Sequence, residues 1–297
     1  MKETVKAYVD LLRLHFFFVW PILFCSGLFL AFANYGGFSI GLVIKAALIG
    51  FFGFEAGMVL NDYIDRNLDR KDVEQSLTKY WRPFGKRPMA TGQISEKAAL
   101  SLFIIFALIA FSLILTLPYP NSIYVLAIMA YAYSAEYFYQ IRKRKQNFPL
   151  AQIIGRTDFA LFPIAGYLCL GAPDLTALLY LLFFYPWAEA HLGVNDLADE
   201  RNDKARGMKT VTTLYDRTGT AWWILGFTLT HAVASVFFMS VLGNVARIGI
   251  FIGLILLSFA NYLIAKNPVP ETALKVLPVF HLSLLVYSVS IILSYFI

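Results

Sequence analysis

Charged residues and cysteine are both scarce in this sequence of 297 residues. Only 15% of the residues are charged, whereas 59% are hydrophobic and the mean hydropathy is +0.63. Since a soluble domain carries about 25% charged residues, the composition excludes a soluble globular protein and indicates a polytopic membrane protein. The two cysteines, Cys25 and Cys169, lie in apolar stretches, where free cysteine packs as a small hydrophobe. We therefore assign them neither a disulfide nor a metal.

Long apolar runs recur along the whole chain. A helix needs about 20 residues to cross the hydrocarbon core, and nine stretches approach that length: 15–34, 39–60, 98–117, 121–140, 150–170, 175–192, 221–242, 247–265 and 276–296. The sequence therefore predicts an all-α protein with about nine transmembrane helices. We interpret the first run as a span and not as a signal peptide, because it is long and lacks a small-residue cleavage site.

Lysine and arginine are distributed unevenly between the predicted loops. Segments 1–13, 61–97, 142–145, 195–219 and 266–275 carry 22 of the 25 cations and fall on one side of the membrane. The opposite loops are short, and Arg247 is their only cation. Because cytoplasmic loops carry the excess of Lys and Arg, we expect the amino terminus in the cytoplasm and the carboxyl terminus outside. The net charge of +6 follows from this topology and does not indicate nucleic-acid binding.

One stretch of the chain occurs twice. Residues 55–70 read EAGMVLNDYIDRNLDR and residues 189–204 read EAHLGVNDLADERNDK, so an offset of 134 (189 − 55) superposes them without a gap. Both contain the pattern N-D-x-x-D-x-x-x-D, and the offset pairs Asn61 with Asn195, Asp62 with Asp196, Asp65 with Asp199 and Asp69 with Asp203. The sequence thus predicts one membrane domain, residues 1–297, with an internal pseudo-repeat.

The spacing within each copy predicts a column of oxygen ligands. Residues four apart share a helix face, so one column holds Asn61, Asp65 and Asp69, with Asp62 on its flank, and the other holds Asn195, Asp199 and Asp203. Carboxylates crowded on one face repel one another unless a cation lies among them. Oxygen ligands without His or Cys suit Mg²⁺, which often binds carboxylates together with substrate phosphates. Two facing columns therefore predict a diphosphate held through Mg²⁺; the alternative is two ordinary helix ends solvated by water.

A basic loop follows the first motif. Arg82, Lys86 and Arg87 lie in the connection 70–97, whose Pro and Gly residues favour a loop and not a continued helix. A long loop with clustered cations beside a diphosphate site is expected to close over the phosphate oxygens. The alternative is an ordinary positive-inside loop.

Two further places in the sequence, the pair Tyr139 and Lys143 and the single residue Arg13, supply candidate phosphate ligands. Tyr139 and Lys143 are four apart, so the hydroxyl and the ammonium share a helix face and can contact one anion. Arg13 lies at the cytoplasmic end of the first predicted span. Both positions would also suit interfacial anchors.

Five ionisable residues lie at membrane depth: Glu55, Glu136, Arg156, Asp158 and Glu189. Such groups are costly in lipid and usually face a bundle interior or a wet cavity. A cavity that opens to the cytoplasm would explain the three glutamates. Because Arg156 and Asp158 are two residues apart, they do not face each other along a helix, and we expect each to have a partner elsewhere.

Four motifs follow one another along the chain: NDYIDRNLD at 61–69, GKRPMATGQIS at 85–95, YQIRK at 139–143 and NDLADERND at 195–203. As a set, and in their order and spacing, they resemble the UbiA superfamily of intramembrane prenyltransferases. The resemblance covers the cytoplasmic ends of the second, fourth and sixth spans and the loop after the second. One departure is the linker between Asp69 and GKRP, which is longer than is usual in the family.

The resemblance implies a ring of nine helices around a central cavity, in which both acidic motifs bind Mg²⁺ and the diphosphate of an allylic prenyl donor. It implies the metal ligands Asn61, Asp65, Asp69, Asn195, Asp199 and Asp203, and the catalytic carboxylates Asp62, Asp65, Asp196 and Asp199. Together with the candidates above, the diphosphate ligands are Arg13, Arg82, Lys86, Arg87, Tyr139, Lys143, Asn61 and Asn195.

We therefore expect Mg²⁺-dependent transfer of a prenyl group to a small aromatic or lipid acceptor, within the bilayer and with the active site facing the cytoplasm. Cations would neutralise the leaving diphosphate, so that its C–O bond breaks in a site sheltered from water. The alternatives are prenylation of a glyceryl ether phosphate and a non-catalytic transporter of a cation or lipid diphosphate. A transporter is disfavoured because the acids lie at the cytoplasmic rim and the two copies share no Gly or Pro that would break a helix.

Overall fold

Apolar stretches fold into helices in this protein because a lipid-exposed backbone satisfies its hydrogen bonds only in a helix or a closed barrel. The protein is described by a computed structural model covering residues 2–297, which contains helices and loops but no strand within that range. Its α-helices are α1 (Glu3–Leu11), α2 (Val19–Tyr35), α3 (Ile40–Asp65), α4 (Ser76–Trp81), α5 (Glu96–Leu115), α6 (Asn121–Arg142), α7 (Leu150–Gly155), α8 (Thr157–Tyr167), α9 (Leu175–Ala198), α10 (Glu200–Arg206), α11 (Val211–Phe238), α12 (Asn244–Lys266) and α13 (Pro270–Leu293).

Seven of the helical segments within residues 2–297 are long and apolar enough to span a membrane: Leu14–Tyr35, which includes α2, and those of α3, α5, α9, α11, α12 and α13. The all-α membrane class is confirmed, but the predicted count of about nine spans is too high by this criterion. The predicted fourth span is α6, whose five tyrosines and Glu136 lower its hydropathy. The predicted fifth span is interrupted at Arg156 into the short helices α7 and α8.

The helices close into a ring. Starting at α2, the chain adds α3, α5, α6, α8, α9, α11, α12 and α13, each packed against the one before it. The ring closes because α13 returns to pack against α2. Further contacts cross the ring between α2 and α8, between α9 and α13, and from α3 to α6 and α8. This arrangement brings the ends of α3 and α9, which carry the two acidic motifs, to the same interior space.

Two glycines allow α2 and α8 to approach closely. A Cβ atom at Gly27 would lie 1.9 Å from the Pro163 carbonyl oxygen, and one at Gly166 would lie 1.8 Å from the Phe24 carbonyl oxygen. No real atom tolerates such distances, so a larger residue at either position would push the helices apart. The close contact places the Phe24 ring 5.2 Å from that of Phe162, which forms part of the cavity described below.

The connection between α3 and α5 folds across one end of the ring. It contains a 3₁₀ turn (Asp69–Lys71) and the short helix α4, so the predicted loop is partly helical. Asn202 of α10 holds this connection, because its side-chain oxygen accepts hydrogen bonds from the backbone N–H groups of Val73 and Glu74 at 3.0 and 2.9 Å. The connection is therefore fastened to the segment that carries the second acidic motif.

Helix α1 holds the other half of the same connection. It shares a small apolar cluster with α3, the connection and α5 (Ala7, Leu11, Val59, Met89, Ile94 and Ala99). Asp10 is 1% exposed, and its two oxygens accept hydrogen bonds from the backbone N–H groups of Phe84 and Lys86 at 2.7 and 3.0 Å. Helix α1 thereby positions the segment that carries Arg82 and Arg87.

Candidate active site

The two acidic motifs line a single cavity of about 280 Å³. Twelve of the fourteen candidate residues from the sequence lie on its wall: Arg13, Asn61, Asp65, Asp69, Arg82, Arg87, Tyr139, Lys143, Asn195, Asp196, Asp199 and Asp203. Asp62 and Lys86 are the two that do not. The fold thus brings together residues from both repeats, the connection and α6.

Each acidic motif continues past the end of its helix. Helix α3 ends at Asp65 and Asp69 lies in the following 3₁₀ turn, whereas α9 ends at Ala198 and Asp203 lies in the separate helix α10. The prediction of one continuous helical column in each copy is therefore wrong. The break occurs within one residue of equivalent points of the two repeats, and Asp65, Asp69, Asp199 and Asp203 still face the cavity.

Arg206 joins the two motifs. Its Nε donates to Asp72 Oδ1 at 2.6 Å and its Nη1 to Asp199 Oδ2 at 3.2 Å, while its Nη2 lies 3.4 Å from Asp69 Oδ1. Burial opposes the charge on this side chain, but the nearby carboxylates outweigh that effect and raise the pKa of Arg206. Arg206 is not among the site residues predicted from the sequence. The available signal was the repeat offset, which pairs Arg206 with an acid, Asp72.

The acids farthest along each motif are crowded. Burial raises the pKa of Asp69, and the charges of Arg87 and Arg206 offset this only in part. Burial, together with the neighbouring Asp199, raises the pKa of Asp203. A cation placed among such carboxylates favours their charged form. Their environment therefore suits a positively charged ligand.

Asp62 lies behind the cavity wall and holds two arginines. It is 2% exposed, and its carboxylate accepts from Arg13 Nη2 at 2.9 Å and from Arg82 Nη2 at 2.7 Å. Burial lowers the pKa of Arg82 to about 10 against the opposing effect of Asp62. Arg13 reaches the carboxylate from a left-handed backbone conformation with φ of 46°, which is sparsely populated by residues with a side chain. The predicted catalytic role of Asp62 does not fit this position, which instead anchors two cations of the cavity wall.

Tyr139 and Lys143 reach the cavity from α6. Lys143 Nζ lies 2.7 Å from Asp65 Oδ2 and 4.6 Å from the centre of the Tyr139 ring. Arg144 Nη2 lies 3.0 Å from the other oxygen of Asp65. Gly155 permits α7 to pack closely against α6, because a Cβ atom at Gly155 would lie 2.7 Å from Tyr139 Cβ. Asp65 is therefore held between two cations, of which Lys143 lines the cavity.

Lys86 points away from the cavity. Its side chain is 52% exposed, and its Nζ lies 3.9 Å from Glu3 Oε2 on α1. Its neighbour Arg87 faces the cavity and pairs with Asp69 at 3.0 Å and with Asp72 at 2.8 Å. The predicted pair of basic ligands in the GKRP motif is thus reduced to one, the arginine.

Three of the five ionisable residues predicted at membrane depth line the cavity: Glu136, Arg156 and Asp158. Glu136 accepts a hydrogen bond from Asn61 Nδ2 at 2.8 Å, which links it to the first motif. Glu55 and Glu189 are 0% exposed and do not line the cavity. The expectation that one cavity explains all three glutamates is therefore wrong for two of them.

Part of the cavity wall is aromatic. Trp20 stacks on Phe54 with ring centres 3.8 Å apart, and Phe159 and Phe162 extend this surface. A cavity whose wall carries both charged side chains and aromatic rings fits an amphipathic ligand, with an anionic head and a hydrocarbon body.

The donor atoms of the two motifs fit a hard cation. They are carboxylate and amide oxygens, and Mg²⁺ usually binds one or two carboxylates together with substrate phosphates. No three His, Cys, Asp or Glu side chains of residues 2–297 already form a metal cage. The carboxylates instead pair with Arg and Lys. The residues therefore fit a Mg²⁺ ion that binds together with an anionic ligand.

Comparison with known sequences identifies a family. The model of the UbiA prenyltransferase family matches residues 18–290. A curated relative, the 4-hydroxybenzoate octaprenyltransferase of Alkalilimnicola ehrlichii, is 30% identical over 226 residues, which cover 72% of this chain and 69% of that protein.

Solved structures share the fold. A digeranylgeranylglyceryl phosphate synthase superposes with a TM-score of 0.70 at 21% identity, covering 99% of both chains. A UbiA homologue from Archaeoglobus fulgidus, solved with DMAPP and Mg²⁺, superposes with a TM-score of 0.69 at 16% identity, covering 96% of this chain and 99% of that one. At these identities the superpositions establish a common fold.

Proposed function

The chain belongs to the UbiA prenyltransferase family, and we propose that it transfers a prenyl group from an allylic diphosphate to an aromatic acceptor in this cavity. A relative is named for 4-hydroxybenzoate, and a structural neighbour was solved with DMAPP and Mg²⁺. The observation that carries the proposal is the convergence of both acidic motifs on one cavity whose wall also carries aromatic rings.

The diphosphate would occupy the charged end of the cavity. Arg13, Arg82, Arg87, Lys143 and Arg206 all face that space and are presently paired with carboxylates. A diphosphate that enters would exchange carboxylate contacts for phosphate contacts, which Arg makes in bidentate geometry. These cations would then lie where negative charge develops on the leaving group, which is where they lower the barrier.

Mg²⁺ would be held by Asp65, Asp69, Asp199 and Asp203, with Asn61 and Asn195 beside them. When bound, it supplies Lewis-acid stabilisation of the diphosphate oxygens. The carboxylates released from Arg and Lys by the entering phosphates are the ligands that become available to it. Metal and donor should therefore bind together, each strengthening the other.

The reaction requires three changes of bonding. The bond between C1 of the prenyl chain and the diphosphate oxygen breaks, a bond forms between C1 and a ring carbon of the acceptor, and that ring carbon loses its proton. The aromatic wall around Trp20 and Phe54 excludes water from the electron-deficient chain. Asp196 lies on the cavity wall and accepts a hydrogen bond from the backbone N–H of Val211 at 3.0 Å. Among the predicted catalytic carboxylates, we assign Asp196 the role of proton acceptor, because Asp62 does not line the cavity.

The test is a reaction with purified protein in lipid nanodiscs. Allylic diphosphates of several chain lengths are incubated with 4-hydroxybenzoate and Mg²⁺, and both prenylated product and released diphosphate are measured. We expect the two to form in equal amounts and to disappear with a chelator. Donor binding without diphosphate release, across the whole panel, would support a lipid-diphosphate carrier and contradict the proposal.

A further inference from the structure

Arg156 is the one cation on the cavity wall without a partner in residues 2–297. The other cations that line the cavity each pair with at least one carboxylate: Arg13 and Arg82 with Asp62, Arg87 with Asp69 and Asp72, Lys143 with Asp65, and Arg206 with Asp72 and Asp199. Arg156 forms no ion pair and no side-chain hydrogen bond in that range, and its Nε is buried and unpartnered. This arrangement leaves its guanidinium available to a ligand.

An unpaired arginine at this depth calls for a compensating anion. Burying a charge without a partner is strongly unfavourable, and ionisable groups inside membranes usually mark binding sites. The neighbouring acids form no ion pair with it. Glu136 accepts from Asn61 and Gln140, and Asp158 and Asp196 accept from the backbone N–H groups of Phe159 and Val211. The charge of Arg156 also acts on Glu189, whose carboxylate has no hydrogen-bond partner within residues 2–297, but the two side chains do not come within the 4.0 Å of an ion pair.

The position of Arg156 separates it from the cations assigned to the diphosphate. It lies at the break between α7 and α8, on the cavity wall that also carries Phe159, whose ring centre is 5.8 Å from its guanidinium carbon. The adjacent Gly155 packs directly against Tyr139, which in turn contacts Lys143 of the diphosphate end. Arg156 is therefore close to the reacting end of the cavity but on its aromatic wall.

We propose that Arg156 binds the carboxylate of an aromatic acid and so makes this chain selective for anionic over neutral acceptors. The inference rests on the proposed function and adds to it the group that recognises the acceptor. A guanidinium presents two parallel N–H donors that match a carboxylate. The Phe159 ring beside it offers a face against which the ring of the acceptor stacks.

The test compares two acceptors that differ only in the carboxylate, 4-hydroxybenzoate and phenol, in the parent protein and in Arg156→Gln. We expect the parent to prefer the acid. Arg156→Gln should raise the KM for 4-hydroxybenzoate about ten- to hundredfold, the loss of a hydrogen bond to a charged group. The KM for phenol and the KM for the prenyl donor should stay within about twofold of the parent values. Arg156→Lys keeps the charge but loses the paired N–H donors of the guanidinium. Its KM for 4-hydroxybenzoate should therefore lie between the values for the parent and for Arg156→Gln.

Controls distinguish this result from damage to the fold and from failure of the proposed function. Arg201→Gln removes a cation that is 51% exposed and pairs with Glu74 and Glu271, so all three KM values should match the parent. If Arg156→Gln does not fold, Arg156→Lys is tested in the same assay. A higher donor KM with both acceptors would assign Arg156 to the diphosphate, and unchanged KM values would remove it from recognition; either result overturns the inference. A parent protein that prenylates no aromatic acceptor would instead contradict the proposed function.

Discussion

Asp72 and Arg206 lie two residues beyond the two sequence repeats, at positions that the same offset pairs, and bind each other, with Arg206 Nε donating to Asp72 Oδ1 at 2.6 Å. The same guanidinium reaches Asp69 of the first motif and Asp199 of the second. The two halves thus meet through opposite charges at one paired position, although the aspartates of the two motifs are alike at every paired position. This contact holds the two acidic motifs on either side of one cavity.

Arg206→Gln should therefore disrupt the site more than an ordinary surface change. It removes the charge shared by both motifs, so we expect kcat/KM for the donor to fall about a hundredfold, the typical loss for one group that stabilises developing charge. Arg206→Lys keeps the positive charge, so its kcat/KM for the donor should fall less. The matched control is Arg201→Gln on the same helix, whose ion pairs are exposed. Activity of Arg206→Gln within about threefold of the parent would contradict the bridging role.

Asp10 positions the arginines of the connection without touching the cavity. Asp10→Asn replaces one of its two acceptor oxygens by an N–H₂ donor, which then faces a backbone N–H of the connection. We expect the donor KM to rise about tenfold, in line with a lost hydrogen bond and a repulsive contact, while the acceptor KM stays unchanged. Glu3→Gln alters an exposed acid on the same helix and should have no effect. An equal rise in both KM values would indicate a general loss of structure.

Gly166→Ala and Gly27→Ala should both destabilise the ring, because their Cβ atoms would collide with backbone atoms of the facing helix. Overpacking of this kind costs about 1–3 kcal/mol or more. The measurement is the temperature at which the detergent-solubilised protein loses donor binding. Gly226→Ala is the matched control, since nothing lies within 4 Å of its added Cβ. Equal unfolding temperatures for all three variants would contradict the close helix contact.

The orientation of the site is tested by labelling. The positive-inside distribution predicts that the basic connection faces the cytoplasm. Lys86→Cys places a thiol at a side chain that is 52% exposed, while Tyr119→Cys places one at an 85% exposed position between α5 and α6. The native Cys25 and Cys169 are buried and should not react. In right-side-out vesicles, an impermeant maleimide should label Tyr119→Cys only. Labelling of Lys86→Cys alone would contradict this prediction and place the basic connection on the outer side of the membrane.

The fold class and most of the site could be predicted because both depend on local patterns. Apolar length identifies the seven segments that qualify as spanning helices, although it also suggests two that do not, and the repeated N-D-x-x-D pattern identifies both sides of the cavity. Two features depend instead on contacts between distant segments. The role of Arg206 appears only when α10 docks on the connection, and the outward direction of Lys86 is set by Asp10, which binds its backbone N–H. The regular spacing of the motifs also predicts continuous helices, whereas α3 ends at Asp65 and α9 ends at Ala198.

The central claim is that both acidic motifs act on one diphosphate. Asp65→Asn and Asp199→Asn each replace a charged ligand by a neutral one of similar shape. The decisive measurement is Mg²⁺-dependent diphosphate release in the parent, both single variants and the double variant, with donor-protected unfolding temperatures as the control for folding. Residues that act as one unit are non-additive, so we predict a loss of about a hundredfold for each single variant and little further loss in the double. Modest single losses that multiply in the double variant would contradict a shared site.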